Sequence, residues 1–159
     1  MKNGFTFGLV VLGIVLLSLT ACSKRDKTIS VEDDNAEMNA AIAKARETLP
    51  QFWQVFAKPE RGESDFALKV KITDSNGTEH FWANEIKRED GKITATINND
   101  PNIVKTVKLG SRIELPEGDI SDWMYMRDGK MVGNHTLKPL LKHMSDDDVD
   151  KLKSLMADP

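Results

Sequence analysis

The chain reads as a single small α+β domain: an N-terminal amphipathic helix packed on an antiparallel sheet, followed by C-terminal helices. Three observations predict this. Apolar residues recur at steps of three and four between Met38 and Phe56. They alternate in twos between Asp65 and Ile97, and return to helical spacing after Thr136. Helix, then strands, then helices is the order of an α+β domain.

Asp33, Asp34 or Asn35 can cap the first helix. Met38, Ala41, Ile42, Ala45, Leu49, Phe52, Trp53 and Phe56 then form one apolar stripe. Pro50 lacks a backbone donor and disfavours helix at the residue before it, so a kink or restarted turn is expected near Leu49. The polar face mixes both signs of charge. That fits a helix packed on a core better than one lying on a membrane.

A hairpin follows. Phe66, Leu68, Val70 and Ile72 alternate with polar or small residues, and Asp74-Ser75-Asn76-Gly77 supplies a turn. A two-residue Asn76-Gly77 loop would pair Ile72 with Phe81. A three-residue loop ending in a left-handed Gly77 would pair Val70 with Trp82 and Phe66 with Ile86. With an Asp90-Gly91 turn, the second register puts every alternating apolar set on one face, and consistency favours it. Trp82 is then expected in the core, His80 near the sheet end and Phe81 facing out.

Asn98-Asn99-Asp100-Pro101-Asn102 is a turn, and residues 103–109 read as a helical turn or an irregular strand. Ser111 to Leu115 reads as a short strand and Asp119 to Trp123 as a corner. A hairpin over Asp128-Gly129 comes next. Thr136 can cap a helix that buries Leu137, Leu140, Leu141 and Met144. Ser145 and three aspartates open a last helix with Val149, Leu152, Leu155 and Met156 on one face.

The amino terminus is of another kind. Lys2 precedes a charge-free apolar run from Phe5 to Ala21, the pattern of an export signal. Leu19-Thr20-Ala21-Cys22 resembles a bacterial lipobox, which implies cleavage before Cys22 and acylation of that residue. Two or three acyl chains, at about 0.8 kcal/mol per buried CH₂, would make a lasting anchor. Ser23, where an inner-membrane lipoprotein tends to carry Asp, favours the outer membrane, facing the periplasm. The expected organisation is a signal peptide at 1–21, lipidated Cys22 with a tether to residue 35, a folded region at 36–144 and a last helix at 145–159. The tether would reach roughly 20 Å.

Composition excludes several functions. Among 159 residues there are 22 basic and 25 acidic side chains, a net charge of −3. Losing residues 1–21 removes Lys2 and no acid, giving −4. A nucleic-acid binder would need a basic face. One Cys allows neither a disulfide framework nor a Cys-based zinc site. There is no Gly-rich phosphate loop and no nucleophile elbow. No cofactor is expected beyond the covalent lipid on Cys22.

The stretches MNAAIAKARETLPQFW (38–53), DFALKVKI (65–72), EHFW (79–82), NNDPN (98–102), ISDWMY (120–125) and DGKMVGNHT (128–136) occur in this order. On them the chain resembles the YegJ-like bacterial lipoproteins, which carry domain of unknown function 2314. The resemblance covers about residues 36–144. It implies no catalytic residue, and by analogy with related small domains an inhibitor- or immunity-like binding role.

Two functions compete, beside a third reading as a purely structural lipoprotein with no discrete site. A binding module for an envelope protein or peptide would use Phe81 and the corner of Asp122, Trp123 and Tyr125. An envelope hydrolase would bring His80, Asp122 and Tyr125 into one open cleft for acid–base work. Binding is favoured, because nothing in the sequence draws those three together. His135 and His143 are eight apart and need His80 as a third zinc ligand, so no metal is expected. Asp146–Asp148 lacks the spacing of a calcium loop and reads as helix-start electrostatics.

Overall fold

The computed structural model describes residues 36–157. The export signal, Cys22, Ser23 and the tether lie outside the described residues. Helix α1 (Ala36–Ala57) precedes β1 (Glu63–Asp74), β2 (Gly77–Glu89), β3 (Lys92–Ile97), β4 (Arg112–Leu115), β5 (Ile120–Arg127) and β6 (Lys130–Gly133). Helices α2 (Leu137–Leu141) and α3 (Asp146–Leu155) follow. The strands form one antiparallel sheet in the order β4-β3-β2-β1-β5-β6. Among the described residues no helix is long and apolar enough to cross a membrane.

Helix α1 buries Ala45, Leu49, Phe52 and Trp53. It runs through Pro50 without restarting, because apolar residues on both sides of the proline share one buried face. Phe52 lies 5.0–5.9 Å, ring to ring, from Trp53, Phe56, Phe66 and Trp123. The Trp123 indole donates to the Ala45 carbonyl at 2.9 Å, and Arg46 donates to the carbonyls of Ile120 and Gly118. These bonds fix the helix over β5. Full burial of each large apolar side chain contributes about 1.5–3 kcal/mol, so this one face supplies much of the stability.

The β1–β2 register differs from both sequence alternatives. Asp74 pairs with Gly77 around a Ser75-Asn76 loop, Val70 with Phe81 and Lys69 with Trp82. Phe81 is therefore wholly buried, and Trp82 lies half-buried on the opposite face. Neither Ser75 nor Asn76 has positive φ, and the Asp74 carboxylate accepts the Asn76 N–H at 2.7 Å. Asp first and Gly fourth are the preferences of a type I turn. A bulge follows, with Glu85 at φ 49, so Phe81, Ala83 and Ile86 all reach the core despite their odd and even numbers.

Three further expectations change. Ile120–Trp123 is not a corner but the start of β5, entered from a 3-10 turn at Glu117–Asp119. The Thr136 hydroxyl does not cap α2; it is turned towards Asp122. Leu155 is exposed, while Met156, just past α3, is buried and bridges to Met131 on β6. Ser145 caps α3 through the Asp148 N–H, as its position implied.

The loop between β3 and β4 has neither helix nor strand, yet two carboxylates of the β1–β2 hairpin hold it. Glu79 accepts the N–H groups of Asn102, Ile103 and Val104 at 2.9–3.3 Å. Asp74 accepts those of Lys105 and Thr106. Val104 is thereby drawn into the core. Burial pushes the Glu79 carboxyl up, but the backbone donors outweigh it and hold the group below its ordinary value. A lowered folded pKa gives stability that is present above the unfolded value, about 4.3, and is lost as pH falls through the folded one. Urea unfolding at stepped pH is expected to show this acid loss, and Glu79→Gln should flatten it and cost about 1–3 kcal/mol at neutral pH. An unchanged pH slope would remove Glu79 as its source.

Candidate binding face

The sheet is covered on one side. Beneath α1 lie Leu68, Val70, Phe81, Ala83, Ile93, Ala95, Ile97 and Trp123, all buried. The residues alternating with them in the central strands are half-buried or exposed: Lys69 and Lys71 on β1, His80, Trp82 and Asn84 on β2, Thr94 and Thr96 on β3. Since β1 and β2 are the two middle strands, Trp82 stands near the centre of this second face.

Polar contacts organise the face. The Lys69 ammonium lies 5.3 Å from the centre of the Trp82 ring and donates to Thr136 Oγ1 at 2.9 Å. Desolvation lowers the Lys69 pKa, and the Asp122 charge partly offsets this. His80 Nδ1 is 2.7 Å from Ser121 Oγ, and that hydroxyl donates to the Lys69 carbonyl at 3.1 Å. A hydroxyl has one proton, so with it on the carbonyl the imidazole must donate to Ser121. The pair is therefore not arranged as base and nucleophile.

The residues expected to form a binding corner are buried: Phe81 at 0%, Asp122 at 0%, Trp123 at 4% and Tyr125 at 3% exposure. Phe81, placed outward by the sequence reading, is a core residue because of the register and the bulge. Trp123 and Tyr125 stack on each other on the α1 side. Asp122 points the other way, opposite Lys69. Its carboxylate accepts the N–H groups of Trp123, His135 and Thr136 and the Thr136 hydroxyl. His80, Asp122 and Tyr125 thus share no open cleft, and the hydrolase arrangement fails on geometry. Burial raises the Tyr125 phenol above its ordinary value.

The histidines are also accounted for. His135 sets its ring edge-on to Trp123 and its Nε2 3.2 Å from Thr48 Oγ1, while His143 is exposed. Among the described residues no three His, Cys, Asp or Glu side chains converge on a metal position. A shallow groove of about 480 Å³ beside His135, lined by Glu37, Ala41, Lys44, Lys138 and Pro139, separates α1 from α2.

The family model of an uncharacterized protein conserved in bacteria, DUF2314, matches residues 35–156. The chain belongs to the DUF2314 family. The match runs through α3, beyond residue 144 where the resemblance read from the sequence ends. The chain is 33% identical over 150 residues to the uncharacterized protein YegJ of Escherichia coli K12, covering 94% of this chain and 97% of that one. It is 31% identical over 127 residues to a putative ankyrin repeat protein of Neisseria meningitidis serogroup B, covering 74% of this chain and half of that relative's length. No solved structure matches.

In this DUF2314 domain, sequence reasoning overlooked Lys69, Ser121 and Glu79. Lys69 and Lys71 did carry a signal, as two cations at alternate positions of a strand whose other face is apolar. Ser121 had none, since the bulge that turns it towards His80 leaves no residue signature.

Proposed function

We propose that this DUF2314 protein is a lipid-anchored module of the bacterial cell envelope. Acylated Cys22 holds it to the membrane, and Ser23 favours the outer one. It binds a protein or peptide partner, in an inhibitor- or immunity-like manner, through the sheet face that α1 does not cover. The observation that carries this reading is the face itself: a half-buried tryptophan at the middle of the sheet beside Lys69 and Lys71, on the side away from α1. The meningococcal relative adds support. It is named a putative ankyrin repeat protein, and ankyrin arrays build extended binding surfaces.

The test is photo-cross-linking in intact cells. A benzophenone amino acid at Thr73 or Thr94, on the open face, is expected to give a discrete adduct with a second protein. The same group at Glu47, on the solvent side of α1, should give none. Cys22→Ser should abolish palmitate labelling and weaken the adduct. Face positions that behave like Glu47 would overturn the binding reading, and palmitate incorporation that survives Cys22→Ser would overturn the anchor.

A further inference from the structure

We propose that the open sheet face accepts an acidic polypeptide segment, engaged by Lys69, Lys71 and His80 with Trp82 as an apolar floor. The inference rests on the binding reading above and names the chemistry of the partner.

The register sets Lys69 opposite Trp82 and Lys71 opposite His80. Two lysines, an imidazole and an indole therefore occupy four adjoining positions of one face, in a chain whose net charge is −3. Their same-face neighbours in the central strands, Ala67, Thr73, Thr78, Asn84, Thr94 and Thr96, carry no charge. Glu85, at the bulge, receives the Thr96 hydroxyl and marks the limit of the patch. Asp122 is the acid nearest Lys69. It is fully buried and its oxygens are taken by four donors from residues 123–136. It offsets Lys69 without occupying the surface. Lys71 is exposed and makes no ion pair among the described residues.

Two features suit this patch to a carboxylate-bearing chain. The Lys69 head is already held by Thr136 and the Trp82 ring, so ordering it costs little on binding. The half-open indole offers apolar area to whatever side chain lies next to the acid, and tryptophan is enriched at the energetic centres of interfaces. A basic patch also steers an acidic partner towards it.

The full chain, purified in detergent, can be titrated with hexaglutamate while backbone amide resonances are followed. Shifts are expected at residues 69–71 and 80–82, with affinity falling as salt rises. Lys71→Glu, at an exposed position, should weaken binding about tenfold or more, while Lys44→Glu on α1 should leave it unchanged. Shifts elsewhere, no shifts, or an indifferent Lys71→Glu would overturn the inference. Equal shifts with inorganic phosphate would reduce the patch to a small-anion site, and tighter binding of oligothymidylate would reassign it to nucleic acid; either overturns it. If hexaglutamate fails while the cellular cross-links persist, the acidic segment falls and the binding reading stands.

Discussion

Phe81→Ala is expected to destabilise the domain by about 3–5 kcal/mol, and Trp82→Ala by only about 1–2 kcal/mol, in urea unfolding. The two residues are neighbours in sequence, and strand alternation sends them to opposite faces. Phe81 pairs with Val70 under α1, where no solvent reaches it. Truncation there removes a ring from a packed layer and leaves a cavity that flanking strands cannot close. Trp82 is half-buried, so truncation loses partial burial and the contact with Lys69. The comparison reads the register directly, because a slip of one residue would reverse the order of the two losses. Equal losses, or a greater loss at Trp82, would contradict the pairing described above.

The same pair shows where the sequence is legible. The long helix was readable because eight apolar residues keep one spacing across Pro50. The strands were readable because β1 alternates cleanly from Phe66 to Ile72. Register was not, for a local reason. The quartet Asp74-Ser75-Asn76-Gly77 supports loops of different length, and the choice among them shifts every partner by one. Strict alternation then favoured the face containing Trp82 and Ile86. In the structure, non-glycine residues with positive φ, Asp65 and Glu85, mark bulges that break the alternation of β1 and β2. Glu85 carries no sequence signal of a bulge, and Asp65 only the weak preference of aspartate for positive φ. The candidate site follows from the register that strict alternation favours: with Phe81 turned outward and Trp82 placed in the core, Lys69 and Lys71 stay on the outer face but lose the indole at its centre. The corner containing Asp122, Trp123 and Tyr125 was identified as a special place, but what is special there is packing and buried hydrogen bonding.

Asp122→Ala is expected to cost about 3–5 kcal/mol, as large a loss as any core truncation, although it removes no apolar surface. The carboxylate organises the chain where β6 gives way to α2. It takes the N–H of Thr136 at 2.8 Å and its hydroxyl at 2.7 Å, and the N–H of His135 at 3.2 Å. The two Thr136 groups have no water to turn to, for that residue is buried. Each loses its partner when the carboxylate goes, and an unsatisfied buried donor costs about 1–3 kcal/mol. Lys69 suffers as well. Its charge is already penalised by desolvation, and Asp122 is the group that offsets the penalty. The loss should therefore be coupled: adding Lys69→Met to Asp122→Ala should recover part of the stability, giving a double-mutant cycle that departs from additivity by about 1 kcal/mol or more. Strict additivity would mean that Asp122 acts on the backbone alone. A loss below about 1 kcal/mol for Asp122→Ala would mean that water replaces the carboxylate and that the β6–α2 junction is open to solvent. The coupling also joins fold to face, because the aspartate that secures the chain after β6 is the one whose charge offsets the desolvation of a lysine beside Trp82.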